Sequence, residues 1–365
     1  MVTQAEFIEA SVRHQVGDLG DATRSTGAAA MEYAMSASSG MALHWDHGAG
    51  APGEFNGWRL EDHILRKTGG KVNREKTAGA LFSILDHDPD FSFLVDMADH
   101  RTRSLISPDN FVAPTFSFNR PVSKLTGRIL WPLPLYHDVD GEEFLGGLDP
   151  DRVPWDEKID KCVWRGGPGN RGRLGKHGRG KSIRLLPLMR KFQSGALSQE
   201  ETETALMSMS RYRVVKRHFD DVNFDIGYTN SDGIVLADHP FLTGLERPRL
   251  SREDCQAYKY ILVLPGNDVA SSFYWTMNSG SVGLVMDCAF ETFATHHFKP
   301  WEHYVPFRRD LRDLERNLRW CENHPEECQH MVTRAKEVCA LLADQELRQD
   351  IQKQVVQRVA QHLQS

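Results

Sequence analysis

The sequence predicts an α/β protein with two αβ domains and a helical C-terminal tail. Its 365 residues exceed the content of one typical hydrophobic core, which indicates two domains. Residues 260–264 and 281–286 are apolar runs of strand length, as expected for parallel strands that are covered on both faces. From residue 310 onwards, apolar residues recur at helical spacing, which predicts the tail.

The first half of the chain begins with a predicted helix. Thr3 and Glu6 have the spacing of a capping box, which places the helix start directly after Thr3. Residues 37–57 are rich in Gly, Ala, Ser and His and are predicted to form a loop. Helical spacing returns in residues 58–65 and again in residues 76–85.

Two strands and a hinge complete the predicted first domain. The strands are expected at residues 91–95 and 112–118, where apolar and aromatic residues dominate. Pro132, Pro134 and the Gly-rich residues 141–150 then indicate a hinge. The predicted domains cover residues 1–150 and 151–335, and a C-terminal helix is predicted at residues 336–365.

The C-terminal part is helical by pattern. Residues 310–321, a segment opened by Pro325, and residues 344–363 each repeat apolar residues three or four apart, with Glu and Arg between them. Packing against the rest of the chain is the usual explanation of such a pattern. A coiled-coil helix for oligomerisation is the alternative.

The composition bounds the class of protein. Hydrophobic residues make up 40% of the chain and charged residues 26%, as in soluble globular proteins. A net charge of −6 argues against a general nucleic-acid binder, so no nucleic-acid partner is expected. Since no apolar run of transmembrane length and no signal-like N-terminus occur, we expect a protein that is cytoplasmic or attached to a membrane peripherally. If the chain is a fragment lacking its signal, the lumen of the secretory pathway is the alternative.

Cysteine and acidic patterns give no metal site. The six cysteines form no C-x-x-C pair, so structural zinc is not expected. We expect the cysteines to be reduced thiols. Asp88-Pro89-Asp90 and residues 138–140 both spell D-x-D, but pairs of this kind arise often by chance among turn residues. His296 and His297 are adjacent, and adjacent histidines seldom converge on one ion. The sequence therefore predicts no metal and no cofactor.

A polar loop between the two predicted strands is the strongest candidate site. Residues 265–268 end the first strand, and residues 269–272 are small residues that lead into an aromatic helical run. Backbone N–H groups and hydroxyls are expected to gather there, where an anion such as a pyrophosphate would bind. The alternative is an ordinary αβ unit with a polar loop.

A second motif matches the P-loop pattern G-x-x-x-x-G-K-S at residues 175–182. The P-loop mechanism requires a buried strand before the glycines and a regular helix after them. Instead, residues 165–174 are rich in Gly and Arg, and Pro187 interrupts the helix that follows, so an ATP-dependent kinase or NTPase remains only the alternative. Seven basic residues crowd this segment: Arg165, Arg171, Arg173, Lys176, Arg179, Lys181 and Arg184. They suit a polyphosphate donor or an anionic acceptor, unless the segment is simply a solvated loop.

The order of three motifs resembles glycosyltransferase family 90. The motifs are Trp164-Arg165-Gly166-Gly167, the strand and loop of residues 258–272, and the run from Lys299 to Pro306. The family includes fungal capsule-associated xylosyltransferases, animal protein O-glucosyltransferases of Rumi type and bacterial lipopolysaccharide-modifying transferases. The resemblance covers residues 85–340, is strongest at 258–320, and is closest to the bacterial branch.

The resemblance implies a fold and a reaction. It implies the GT-B arrangement, in which two Rossmann-like domains face a cleft. Residues 1–150 would be the acceptor-side domain and residues 151–335 the nucleotide-sugar donor domain. The C-terminal helix at 336–365 would cross back to the first domain. The reaction would be metal-independent and inverting, and it would move xylose or glucose from a UDP-sugar to a hydroxyl of a glycan, lipopolysaccharide or protein acceptor. The nucleotide sugar would be a substrate, not a cofactor.

The resemblance also assigns residues. Asp99 matches the catalytic base, in an acidic turn after the strand at 91–95, and Asp96 is its competitor. Glu291 follows the second strand of the donor domain, where paired Rossmann domains place a ribose-binding carboxylate; an exposed structural glutamate is the alternative. The predicted donor-binding residues are Gly167, Arg184, Gly266, Asp268, Val269, Ala270, Ser271, Ser272 and Glu291.

Two residues qualify this assignment. Ser272 occupies a place where animal members carry an arginine, so one phosphate contact is in doubt and a catalytically inactive sugar-binding protein stays an alternative. Trp301 belongs to the aromatic run before Pro306, and core packing is expected to explain it better than ligand stacking does.

Overall fold

A computed structural model describes residues 3–19, 42–53, 58–61, 64–67, 70–71, 75–99, 114–122, 127–133, 153–175, 180–230 and 235–364. It is a mixed α/β protein with parallel sheets, which confirms the predicted class. The chain divides into two compact units. The first comprises Met1–Gly147, Ala289–His297 and Ala340–Ser365, and the second comprises Leu148–Cys288 and Phe298–Cys339.

The helices are α1 (Gln4–Val16), α2 (Glu75–Leu85), α3 (Leu185–Gln193), α4 (Gln199–Met207), α5 (Ser210–His218), α6 (Arg252–Gln256), α7 (Phe273–Met277), α8 (Leu314–Asn323), α9 (Pro325–Ala343) and α10 (Gln345–Gln364). The strands are β1 (Leu43–Asp46), β2 (Ala51–Gly53), β3 (Trp58–Glu61), β4 (Ile64–Lys67), β5 (Gly70–Lys71), β6 (Phe93–Val95), β7 (Thr115–Ser117), β8 (Arg120–Pro121), β9 (Arg128–Leu130), β10 (Ile159–Gly166), β11 (Arg171–Arg173), β12 (Ser182–Arg184), β13 (Phe224–Tyr228), β14 (Tyr258–Val263), β15 (Val282–Met286), β16 (Phe290–Glu291) and β17 (Val305–Phe307). None of these helices is long and apolar enough to cross a bilayer.

The first unit contains a five-stranded sheet in the order β2-β1-β6-β7-β9. Strands β6, β7 and β9 run parallel, while β1 pairs antiparallel with β2 and β6. Phe93, Phe116 and Trp131 are fully buried and meet edge to face, which forms the aromatic centre of this core. Helix α10 packs against α1 in the same unit.

The N-terminal elements confirm one prediction and correct two. Thr3 and Glu6 form the predicted capping box, and α1 begins at Gln4. Residues 37–57 were expected to be a loop, but β1 and β2 lie within them. Residues 58–65 were expected to be helical, but β3 and β4 form a hairpin there. The residues 58–61 read Trp-Arg-Leu-Glu, which alternates apolar and charged, and this strand period prevails over the helical one.

A cluster of histidines joins α1 to the segment that follows β16. The imidazoles of His14 and His296 stack with centroids 4.1 Å apart, and those of His296 and His297 lie 3.7 Å apart. His14 donates a hydrogen bond from Nε2 to the carbonyl of Thr292 at 2.9 Å. Burial, followed by the neighbouring His297, His14 and the Arg120 cation, lowers the pKa of His296 to about 2. Burial also lowers the pKa of His14.

This cluster makes stability depend on pH. In the unfolded chain His296 gains a proton below a pKa of about 6.5, whereas in the folded protein it stays neutral down to a pKa of about 2. The stabilisation is therefore present above pH 6.5 and is lost as the pH falls, by about 1.4 kcal/mol per pH unit for each neutral histidine. We expect urea unfolding to show a drop of about 3 kcal/mol from His296 alone between pH 7 and pH 4.

The matched variants for this prediction are His296→Phe and His330→Gln. Phenylalanine keeps a stacked ring without a proton site, so the variant should have a shallower pH dependence. His330 is exposed on α9, and its replacement should leave the dependence as in the wild type. If the free energy of unfolding of His296→Phe falls with pH as steeply as that of the wild type, another group controls the loss of stability in acid.

The second unit contains a five-stranded sheet in which all strands are parallel. The order is β13-β10-β14-β15-β17, so that the strands stand 2-1-3-4-5 by their order along the chain. Both predicted apolar runs are strands of this sheet, as β14 and β15, and their side chains are buried from Tyr260 to Val263 and throughout β15. This strand order is that of a doubly wound αβ domain.

The predicted C-terminal helices are present with shifted starts. The first, expected from residue 310, begins at Leu314, because Arg308 and Asp310 form an ion pair in a turn where Leu311 has a φ of 65°. Helices α9 and α10 follow after Asn323 and Ala343. All six cysteines are free thiols.

Candidate functional site

The candidate site lies at the carboxyl edge of the parallel sheet in the second unit. Strand β10 stands between β13 and β14, so the strand order reverses at β10 and β14. In open αβ sheets, ligands bind in the crevice beyond the carboxyl ends of the strands at such a reversal. The chain leaves β10 at Gly167 and β14 at Leu264, and the structure thereby brings two predicted elements, Gly167 and the loop from Gly266, to neighbouring strand ends.

Arg211, in the first turn of α5, ties these two strand ends together. Its Nη1 donates to the carbonyl of Gly167 at 3.1 Å and to that of Gly169 at 3.4 Å. Its Nη2 donates to the carbonyl of Leu264 at 3.0 Å. The guanidinium carbon also lies 5.7 Å from the ring centroid of Trp164. One cation thus fixes the backbone on both sides of the crevice.

Sequence reasoning missed Arg211. It belongs to a short helix that reads Ser-Arg-Tyr-Arg-Val-Val-Lys-Arg-His, and such a basic run normally indicates a solvated face. The available signal was Ser210, which precedes it: the Ser210 hydroxyl accepts a hydrogen bond from the buried Asn170 at 2.9 Å and draws the helix start to the loop after β10.

Gly266 allows the close approach of Arg211 to the loop. A Cβ atom at this position would lie 3.1 Å from Nη2 of Arg211 and 3.5 Å from its central carbon. A side chain here would push against the guanidinium that holds Leu264. Glycine at 266 is therefore explained by packing at the crevice and by the turn that ends β14.

The loop from Gly266 to Ser272 is partly self-supporting. The carboxylate of Asp268 is buried and accepts a hydrogen bond from the Val269 amide at 2.7 Å. The thiol of Cys288 donates to the carbonyl of Asp268 at 3.2 Å. These contacts give Asp268 a role in shaping the loop.

The small residues of this loop face the surroundings to different degrees. Val269, Ala270 and Ser272 are half-buried, and Ser271 is exposed. Ser272 stands directly before α7, and its side chain makes no capping hydrogen bond within the described chain. The hydroxyls and amides of this segment therefore lie beside the crevice as candidate donors to an anion.

The basic segment forms a hairpin instead of a P-loop. Strands β11 and β12 pair antiparallel, with Arg171 opposite Arg184, and Ser182 is already in β12. A P-loop needs a buried parallel strand before its glycines and a helix directly after its Lys-Ser pair, whereas an antiparallel pair of strands brackets this motif. Arg184 is exposed and immediately precedes α3. Lys176 and Arg179 lie outside the described residues.

Arg165 has a structural role next to the site. It donates to Asp225 at 2.7 Å and to the carbonyl of Pro248 at 2.8 Å. Tyr258 also donates to Asp225, at 2.5 Å. Burial alone would raise the pKa of Asp225, but the hydrogen bonds from Tyr258 and Arg165 outweigh it and lower that pKa.

Glu291 lies in the first unit, not in the unit of the candidate site. Its carboxylate accepts a hydrogen bond from Nε of Arg120 at 2.6 Å. Arg120 also donates to the backbone carbonyls of Gln15 and Arg128, so this ion pair joins α1, β8 and β16. A ribose contact for Glu291 stays a prediction.

The two candidate bases differ in their surroundings. Both follow β6 in the first unit. Asp96 is fully buried, and its carboxylate lies 3.5 Å from the equally buried guanidinium of Arg128. Asp99 is exposed. Of the two carboxylates, only Asp99 is open to an acceptor hydroxyl.

Among the residues that the structure describes, no group of three or more His, Cys, Asp or Glu side chains is arranged to hold a metal ion. The second D-x-D pair, at residues 138–140, lies outside them.

Comparison with known proteins adds a family. The family model of glycosyl transferase family 90 matches residues 194–361, which include Arg211 and the loop at 266–272. The O-glucosyltransferase LpsA of Dichelobacter nodosus is 36% identical over 81 residues, 22% of this chain and 26% of that protein. Protein O-glucosyltransferase 2 of Danio rerio is 23% identical over 259 residues, 67% of this chain and 42% of that protein.

A viral protein is also similar. Uncharacterized protein 027R of Frog virus 3 is 31% identical over 93 residues, 24% of this chain and 10% of that protein. The chain thus spans less than half the length of each of these three relatives.

Proposed function

We propose that this chain, of which residues 194–361 match the family model of glycosyl transferase family 90, transfers a sugar from a UDP-sugar to a hydroxyl of a glycan, lipopolysaccharide or protein acceptor. The observation that carries the proposal is the position of Arg211. Its three hydrogen bonds hold the strand ends of β10 and β14 at the reversal of strand order, where αβ domains bind nucleotides. Two similar proteins carry the name O-glucosyltransferase, which favours glucose, with xylose as the other candidate sugar.

The donor diphosphate is proposed to lie against the crevice. Amides and hydroxyls of Ala270, Ser271 and Ser272 would donate to its oxygens, and Gly167 would let it approach the backbone. Because Ser272 replaces an arginine, positive charge must come from elsewhere. Arg211, which binds the carbonyls of Gly167 and Leu264 beside the crevice, and the exposed Arg184 are the cations proposed for this task. No metal ion is needed in this scheme.

Transfer is proposed to proceed by inversion. The acceptor hydroxyl loses its proton to a carboxylate base while its oxygen attacks the anomeric carbon, and the bond to the diphosphate breaks on the opposite face. Asp99 is the proposed base. The proposed GT-B arrangement would bring Asp99 to the donor. The proposed place of action is the cytoplasm, with peripheral contact to a membrane.

Ligand binding in the presence of a chelator tests this proposal. Thermal unfolding would be recorded with UDP, UDP-glucose, UDP-xylose and GDP-mannose, first in EDTA and then with Mg²⁺ in its place. A ligand at 100 times its Kd stabilises the folded state by about 2.7 kcal/mol, so a rise in Tm is expected with the UDP compounds, and sugar release should accompany it. Absence of any shift would refute the function, whereas a shift that needs Mg²⁺ would refute only the metal independence.

Arg211 gives the sharpest variant of this experiment. Replacement by alanine should raise the Kd for UDP about 10- to 100-fold, because hydrogen bonds made by a charged donor contribute about 1.5–3 kcal/mol each and two loops lose their common anchor. Isothermal titration measures it. Arg217→Ala, an exposed arginine on the same helix, is the matched control and should bind UDP like the wild type. Equal affinities in the two variants would contradict the placement of the site.

A further inference from the structure

Trp301 is the one aromatic side chain among the large apolar residues that are exposed in the described chain. It is 45% exposed, so core packing, which the sequence suggested, does not describe it. Its backbone has a φ of 64°, in the left-handed region that a tryptophan rarely adopts. Residues in such conformations persist where the surrounding structure holds them, and they concentrate at binding sites.

The turn around Trp301 is held firmly. The amide of Trp301 donates to the carbonyl of Tyr304 at 2.8 Å. Arg334, on α9, donates to the carbonyl of Glu302 at 2.8 Å. The amide of Lys299 donates to the ring of His303 at 3.0 Å. The backbone that carries the exposed indole is therefore fixed before any ligand arrives, which lowers the entropic cost of binding.

Two further rings support the indole. Trp320, on α8, meets Trp301 edge to face, with centroids 5.1 Å apart and an interplanar angle of 83°. His324 stacks on Trp320 at 4.5 Å and donates from Nδ1 to its carbonyl at 2.7 Å. Because an edge-to-face contact covers at most one face of each ring, Trp320 leaves at least one face of Trp301 uncovered.

The turn that carries Trp301 also carries hydrogen-bonding groups of opposite charge. Lys299 and Glu302, on either side of Trp301, form an ion pair at 3.7 Å with side chains 66% and 46% exposed. A bilayer would favour a basic rim without acidic groups. A second copy of the chain would need about 800 Å² of surface on each partner, far more than one half-exposed indole provides.

We propose that Trp301, supported by Trp320, is a carbohydrate-binding platform for a neutral pyranose unit. One sugar ring has about the size of the uncovered indole face. Its axial C–H groups carry a partial positive charge and meet the negative face of the aromatic ring. Its hydroxyls would bond to Glu302 and Lys299 at the rim. The inference rests on the proposed function in one respect, that the sugar belongs to the acceptor.

Direct binding tests the platform without any need for turnover. Maltohexaose, cellohexaose and xylohexaose would be titrated onto the full chain, with saturation-transfer NMR and tryptophan fluorescence as readouts. At least one is expected to bind. Trp301→Ala should weaken that binding at least tenfold. Trp301→Phe should retain the affinity within about threefold, because it keeps an aromatic face. Val222→Ala, which removes part of another exposed apolar side chain, should leave the affinity unchanged.

Other results would overturn the proposal. The first is that none of the three oligosaccharides binds, and the second is that Trp301→Ala binds them as tightly as the wild type does. The third is that Trp301→Ala keeps sugar binding but loses binding to phosphatidylglycerol vesicles, which would indicate a membrane contact. The fourth is that the wild type is a dimer and Trp301→Ala is a monomer, which would indicate an interface between two copies. UDP titration of the same proteins separates the two hypotheses. Oligosaccharide binding without UDP binding refutes the proposed function alone, and UDP binding without oligosaccharide binding refutes the platform alone.

Discussion

Replacing Asp99 by asparagine is expected to lower kcat about 10²- to 10⁴-fold, the usual contribution of a general base. Asparagine keeps the size of the side chain but cannot accept the proton of the acceptor hydroxyl. The Kd for UDP should stay within about threefold, since the base acts on the acceptor and not on the nucleotide. Steady-state kinetics with UDP-glucose or UDP-xylose, together with UDP titration, measure both quantities.

Asp88→Asn is the matched control for this variant. Asp88 is exposed in the same unit and has a φ of 48°, a conformation that asparagine adopts readily, so the substitution should leave both folding and turnover unchanged. Undiminished turnover in Asp99→Asn would remove Asp99 from the mechanism. In that case the base must be sought elsewhere in the chain.

Asp96→Ala is expected to act on stability instead, lowering the free energy of unfolding by about 3–5 kcal/mol. The guanidinium of Arg128 is fully buried beside Asp96, and removal of the carboxylate leaves its charge without that counterion. The hydroxyl of Ser117 would stay bonded to Arg128 at 2.8 Å but carries no negative charge. Urea unfolding of the variant and the wild type gives the difference.

A double variant separates the loss of the pair from the burial of an unpaired charge. Asp96→Ala combined with Arg128→Met removes both charges, and buried ion pairs replaced by apolar side chains often cost little. Much of the lost stability should therefore return. If the double variant is as unstable as the sum of the single ones, the two side chains do not interact in the way described.

The sequence was most informative where local pattern and burial agree. The apolar runs of β14 and β15 and the capping box of α1 were predicted because each depends on residues close together in the chain. Strands β3 and β4 were missed because a four-residue segment is too short to show whether its apolar residues recur at the spacing of a strand or of a helix. The loop at 266–272 was found for the same local reason, as small residues between a strand and a helix.

The contacts that organise the site could not be predicted in this way. Arg211 binds carbonyls 42 to 53 residues distant, and a carbonyl leaves no mark on the sequence because every residue has one. The pair of Arg120 and Glu291 spans 171 residues. Pattern analysis assigned Glu291 to the donor domain by its distance from β15, whereas tertiary pairing with β8 places it in the other unit.

The division of the chain into interleaved segments has a consequence for how the protein is made. The polypeptide passes between the two units four times, after residues 147, 288, 297 and 339. During synthesis, α1 leaves the ribosome early, but its partner α10 follows only after the second unit has been translated. The first unit is therefore complete only when helix α10 has been synthesised. The second unit is interrupted by residues 289–297, which belong to the first unit. Residues 148–339 are one continuous fragment that contains the whole second unit, whereas the segments of the first unit extend from Met1 to Ser365 with the second unit between them. Contacts between distant parts of the chain, such as those of α1 with α10, are expected to slow folding.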